Sequence, residues 1–233
     1  GMNAAGTDAK MRNTKESILE AQFTSGAGNW CTWMFGRDLV NWNNNFTWAK
    51  WVTPSRDLIS AFKQEGDEVR FKESIVYYDC NWSNYYPSDN YPFMYKCRSA
   101  NSSIIKYRYA DVLLLKAEAL IMQDTPDLEG AADIIDEVRD RAKLGALPTS
   151  VRSNKNAMLN ALLKERRLEL AFEGQRWFDL VRLDKVEEVM NAVYAKDSGR
   201  KAQIYTFDKN SYRLPIPQSV IDANDKIHQN PGY

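Results

Sequence analysis

Histidine is nearly absent from this chain: His228 is the only one in 233 residues. Ser–His and Cys–His nucleophile schemes and most zinc sites need imidazole, so those chemistries have almost nothing to work with. An excess of charge of either sign is also missing, because 31 Lys plus Arg balance 31 Asp plus Glu. Nucleic-acid binding calls for a basic surface, so no nucleic-acid partner is expected. No apolar run approaches the roughly 20 residues of a membrane-spanning helix. There is no Gly-rich phosphate loop: Gly26-Ala27-Gly28 is not followed by a helical pattern. Cysteine is scarce, with Cys31, Cys80 and Cys97, and the odd number leaves at least one thiol unpaired within the chain. Cys80 and Cys97 are open to bridging in an oxidising compartment. No two cysteines stand at metal-ligand spacing, so no metal and no cofactor is expected. The first residues hold neither a signal peptide nor a lipidation cysteine, and Gly1 before Met2 reads as a residue left by tag removal, which sets residues 1–2 apart.

The segment that organises the rest is Lys164–Leu183, KERRLELAFEGQRWFDLVRL, which reads as helix, glycine, second helix. On its first helix Leu159, Leu163 and Leu170 form one stripe that contains Arg166. Ala161, Leu162, Leu168 and Phe172 form a second that contains Glu165 and Glu169. Charges on apolar faces must be paired, or burying them is very costly. An internal ion-pair network fixing helix register is the favoured reading. A carboxylate pair for acid/base catalysis is the rival, but it needs a cleft and a mobile proton, and nothing nearby suggests either.

Upstream, Ser17–Phe23 alternates as a short strand. Thr53-Pro54 opens a helix with Leu58, Ile59 and Phe62 on one face, ended by Gly66-Asp67. Phe71–Tyr78 is a strand candidate, and 81–95 is turn-rich. From Arg108 the chain becomes helical, with Ala110, Leu113, Leu114, Ala117, Leu120 and Ile121 on one face. Glu118 is expected to meet an arginine of the Arg166-Arg167 pair. Thr125-Pro126-Asp127 caps the next helix, which packs through Ala131, Ile134, Ile135, Val138 and Ala142 and stops at Gly145. The two helices have tetratricopeptide-like proportions. A long helix over Asn154–Phe172 and another over Gln175–Leu183 follow, and beyond Lys196 only a short helical turn near Ser219–Ala223 is expected.

ERRLELAFEGQRWFDLVR resembles the ERR-x-ELAFEG-x-RWFDLxR segment of the SusD/RagB family, nutrient-binding surface lipoproteins of the Bacteroidetes outer membrane. RYADVLLLKAEAL (Arg108–Leu120), LPIPQSVIDAN (Leu214–Asn224) and QNPGY (Gln229–Tyr233) resemble further family motifs in the same order. GDEVRF (Gly66–Phe71) and ESILEAQF (Glu16–Phe23) agree more loosely. The resemblance implies a mostly α fold, a tetratricopeptide-like helical repeat scaffold with long loops and a few short strands. It divides the chain into a loop-rich aromatic segment, 3–106, and a helical region, 107–233. It also implies that this is the C-terminal portion of a longer protein, whose signal peptide, lipid anchor and N-terminal helical repeats lie upstream. Such a protein would touch the membrane only through that anchor.

Two aromatic tracts remain. Asn29–Trp51 holds five of the seven tryptophans with asparagines between them, and 82–95 is rich in tyrosine. Sugar rings offer apolar C–H faces and many hydroxyls, so their sites combine flat aromatic platforms with amide side chains. Trp30, Trp33, Trp42, Trp48, Asn43, Tyr85 and Tyr86 are therefore the candidate ligand contacts. The competing reading places these aromatics in a core beneath a loop. The resemblance implies a non-catalytic surface protein that captures a glycan, or another nutrient, and hands it to a SusC-like TonB-dependent transporter. A helical protein-interaction scaffold without a small-molecule ligand is one alternative, and a glycoside hydrolase is another.

Overall fold

A computed structural model describes residues 13–23, 53–80, 85–96, 103–196 and 206–233. The chain divides into two compact units, Gly1–Arg176 and Trp177–Tyr233.

In the first unit, strand β1 (Ser17–Ala21) pairs antiparallel with β4 (Ile104–Arg108), and β2 (Ile75–Tyr78) pairs antiparallel with β3 (Tyr91–Met94). Helix α1 (Arg56–Glu65) begins at Ser55, whose hydroxyl accepts the Leu58 N–H, and stops at Gly66 in the left-handed conformation, φ 70°. Asp67 then caps α2 (Glu68–Ser74) by accepting the Arg70 N–H. That cap corrects the expectation of a strand from Phe71. A carboxylate at the N-cap starts a helix immediately after the glycine stop, and only Ile75–Tyr78 remain extended. Phe71 turns onto Phe62, with ring centroids 5.7 Å apart.

The helical scaffold is α3 (Tyr109–Ile121), α4 (Leu128–Arg141), the single turn α5 (Thr149–Arg152) and α6 (Lys155–Glu169). Asp127 and Asn154 cap α4 and α6 through their side chains. The core between these helices is Leu114, Ala117, Ile121, Ala131, Ala132, Ile135, Val138, Met158 and Leu162. Ala117, Ala131 and Ala132 are fully enclosed, and their small side chains let the helix backbones approach closely. The architecture is helical with short strands, as expected. Helix α4 stops earlier than Gly145, because Lys143 takes the left-handed conformation, φ 62°. Helix α6 also ends early, at Glu169, with Phe172 (φ 66°) and Gly174 (φ 81°) reversing the chain.

The second unit contains α8 (Val186–Lys196) and most of α7 (Arg176–Arg182), then a 3-10 turn at Lys209–Tyr212 and α9 (Gln218–Asp222). The C-terminal tail is tied back onto the proline-rich segment. Gln229 bonds both the N–H and the carbonyl of Ile216, at 2.8 and 2.9 Å, and Asn230 donates to the Leu214 carbonyl at 2.6 Å. His228 is exposed on this tail. Among the described residues no helix is long and apolar enough to cross a membrane, and no group of His, Cys, Asp and Glu could hold a metal ion.

Candidate functional site

The three charges on the apolar stripes of α6 are buried, and each is paired. Arg166 donates from Nη2 to Asp111 Oδ1 at 2.9 Å, with both side chains almost wholly enclosed. Asp111 of α3 thus contacts the Arg166-Arg167 pair; Glu118, expected from the sequence to meet it, lies two turns further along α3 and is also buried. Glu165 meets Arg70 at 2.6 Å and Arg139 at 3.3 Å. Glu169 meets Arg108 at 2.7 Å, Arg70 at 3.0 Å and Arg141. Just beyond the helix, Glu173 accepts twice from Arg108, at 2.7 and 3.0 Å, and pairs with Lys96 at 2.5 Å. Arg108 reaches on to Glu16, ahead of β1, at 2.9 Å. One helix end thereby gathers cations from α2, α4 and the ends of β3 and β4.

Burial alone pushes all three carboxyls up. At Glu169 the charges of Arg108, Arg141 and Lys96 outweigh it, and at Glu173 those of Lys96 and Arg108 do, so both ionise below the ordinary range. At Glu165 burial wins, and its carboxyl is shifted upward despite Arg70 and Arg139. A raised carboxyl is one mark of a general acid. Glu165, however, is 1% exposed and held by two guanidinium groups, so no substrate reaches it. The network is internal, as favoured from the sequence.

The aromatic site is built on the β2–β3 hairpin. Tyr91 and Phe93, placed by sequence in a turn-rich tract, are instead strand residues buried to 1% exposure beside Cys80, whose thiol is free and buried. Alternation across the pleat is overridden here, since all four β3 residues are buried. Tyr85 and Tyr86 sit half-buried in the connecting loop, their rings perpendicular with centroids 4.9 Å apart. Arg56, the first residue of α1, lies in the corner between them. Its guanidinium carbon is 4.1 Å from the Tyr85 ring centre and 4.4 Å from that of Tyr86, within cation–π range. It also donates to the Tyr85 carbonyl. The Tyr86 hydroxyl donates to the Pro54 carbonyl at 2.8 Å, and its ring meets Tyr91 edge-on at 5.6 Å. Tyr91 in turn shares a 3.2 Å hydrogen bond with Thr53. Tyr86 is thus fixed at its hydroxyl and its ring, with Tyr85 edge-on against it.

Of the sequence-derived candidates, the structure brings Tyr85 and Tyr86 together. Trp30, Trp33, Trp42, Trp48 and Asn43 lie outside the described residues, as do Cys31 and Cys97. Sequence reasoning missed Arg56, which carried no signal beyond its place in the first turn of a helix. It also missed the partners Arg70, Arg108, Arg139 and Lys96, which come from remote segments.

The SusD family model matches residues 86–233. SusD-like protein P38 of Formosa agariphila is 42% identical over 99 residues, 40% of this chain and 19% of that protein. SusD-like protein P2 of the same organism is 35% identical over 143 residues, 58% of this chain and 27% of that protein. Among solved structures, a SusD superfamily protein from Parabacteroides distasonis aligns over 96% of this chain and 51% of its own, with TM-score 0.71 and 24% identity. A laminarin-binding SusD-like protein aligns over 97% of this chain and 51% of its own, with TM-score 0.65 and 25% identity. The chain therefore spans about half the length of these solved relatives and less of the curated ones. With its helical scaffold, its four ordered motifs and a family match over more than half its length, this chain belongs to the SusD family.

Proposed function

We propose that this chain forms part of a non-catalytic glycan-binding protein at the bacterial cell surface. It would deliver its ligand to a SusC-like TonB-dependent transporter in the outer membrane. Attachment would come from a lipid anchor in a preceding segment. The observation that carries the reading is the alignment of 97% of this chain with a laminarin-binding SusD-like protein at 25% identity. The carboxylates of α6 add support, because they are spent on buried arginines rather than facing a cleft as a glycosidase pair would.

In this reading Trp30, Trp33, Trp42 and Trp48, with Asn43, supply platforms and amide partners for sugar rings. Tyr85 adds an aromatic edge, and Tyr86 supports it from below. The test is a fluorescence titration against a polysaccharide panel that includes laminarin, with acrylamide quenching in parallel. A tryptophan shift with one glycan class, lost in Trp33→Ala or Trp42→Ala, is the expected result. No shift with any glycan would overturn the sugar-binding reading. Shielded tryptophans in the same experiment would turn the assignment toward a protein-interaction scaffold.

A further inference from the structure

Residues at the ends of β3 and β4 meet the scaffold on one turn. Lys96, two residues beyond β3, and Arg108, the last residue of β4, converge on the turn after α6. Lys96 Nζ lies 2.5 Å from Glu173 Oε1 and donates to the Glu169 carbonyl at 2.7 Å. Arg108 donates to both Glu173 oxygens and, at 2.8 Å, to the same Glu169 carbonyl. The ends of the β3–β4 connection thus meet on one carboxylate and one carbonyl. The turn that presents them is strained. Phe172 adopts φ 66°, a conformation that is a genuine outlier for a bulky residue. What the strain achieves is visible: Phe172 packs with Leu58, Ile59, Phe62 and Leu168, while Glu173, next in sequence, reaches the opposing cations. Charge-assisted, bidentate bonding of this kind is geometrically specific.

We propose that Glu173 is a positioning residue: with Lys96 and Arg108 it forms a clasp that sets where the β2–β3 hairpin, and so the Tyr85–Tyr86 loop, sits on the helical scaffold. Its consequence for ligand binding rests on the glycan reading above. The clasp brings the residues that follow β3 and end β4 onto the same turn of the scaffold, so both strands are anchored there. Losing the carboxylate weakens both ends together, leaving Lys96 the Glu169 carbonyl and Arg108 its contacts with Glu169 and Glu16, whereas losing Lys96 weakens only the hairpin side, because Arg108 keeps Glu173 as well.

The test is hydrogen–deuterium exchange on Glu173→Gln and Lys96→Met, with laminarin affinity measured on the same proteins. In Glu173→Gln the amides of 91–96 and 104–108 should exchange about tenfold faster, while α4 and the first turns of α6 keep their protection, as expected for local rather than global opening. Lys96→Met should loosen 91–96 alone. Laminarin affinity should fall about tenfold in Glu173→Gln, because a displaced platform loses preorganisation. Exchange rising uniformly along the chain, or unchanged in both variants, would overturn the clasp. Loosened strands with unaltered affinity would overturn the positioning role. If Glu173→Gln does not fold, Lys96→Met carries the test through residues 91–96. A wild-type protein that binds no laminarin would count against the glycan reading, while the exchange result would still decide the clasp.

Discussion

Removing one partner of the Arg166–Asp111 pair should be among the most damaging single changes available in this chain. The two side chains are 1% and 4% exposed, and Nη2 and Oδ1 are 2.9 Å apart. Arg166 comes from α6 and Asp111 from α3, so the pair crosses the interface between these two helices. In surroundings of intermediate dielectric two unit charges about 4 Å apart attract by ~4 kcal/mol. Desolvation cancels much of that gain in the intact protein. Breaking a buried pair by removing one partner typically costs about 3–5 kcal/mol. A domain's whole stability is about 5–15 kcal/mol, so such a loss is a large share of it. Arg166→Met keeps length and apolar bulk, and Asp111→Asn keeps shape. Each should cost about 3–5 kcal/mol, and the double variant should cost far less than their sum, because the second change no longer breaks an intact pair. Urea unfolding followed by far-UV circular dichroism reads this directly. At a slope of about 2 kcal/mol per molar, a 4 kcal/mol loss moves the midpoint by ~2 M. Single losses below about 1 kcal/mol, or strict additivity in the double variant, would refute the buried-pair reasoning.

Acid should weaken the fold. Glu169 and Glu173 have folded values below the ordinary glutamate value near 4.5, so their stabilisation is complete above that pH and is lost as pH falls through the lower folded values. Glu165, shifted upward, acts in the opposite sense: its contribution is present below that value and declines as pH rises through its folded one. Two groups outweigh one, so the melting temperature should fall steadily below about pH 4.5, and Glu169→Gln should flatten the profile; a melting temperature that is level or rises under acid would contradict it. The glycines give a contrast in thermal denaturation. Gly174→Ala meets no neighbouring atom but retains φ 81°, and should cost about 1 kcal/mol from backbone strain alone. Gly145→Ala, also in open space and without a positive φ, should be neutral or stabilising by about 0.4–1 kcal/mol, and equal effects at the two sites would count against the conformational explanation.

Local physics was written plainly in the sequence. The face of α3, the Asp127 cap, the Gly66 stop and the necessity of pairing Arg166, Glu165 and Glu169 all follow from spacing and side-chain chemistry within a few turns. Four ordered motifs identified the family, and a mostly helical architecture came with it. What the sequence alone left open were the partners. Arg70, Arg108 and Arg139 reach α6 from segments 95, 61 and 26 residues away, and periodicity holds no information about which distant cation arrives at a buried carboxylate. The same limit hid Arg56 between Tyr85 and Tyr86, and the burial of Tyr91 and Phe93 inside a tract that reads as turns. A helix or a cap is decided by neighbours along the chain. An ion-pair hub or an aromatic stack is decided by which chain segments tertiary packing brings into contact.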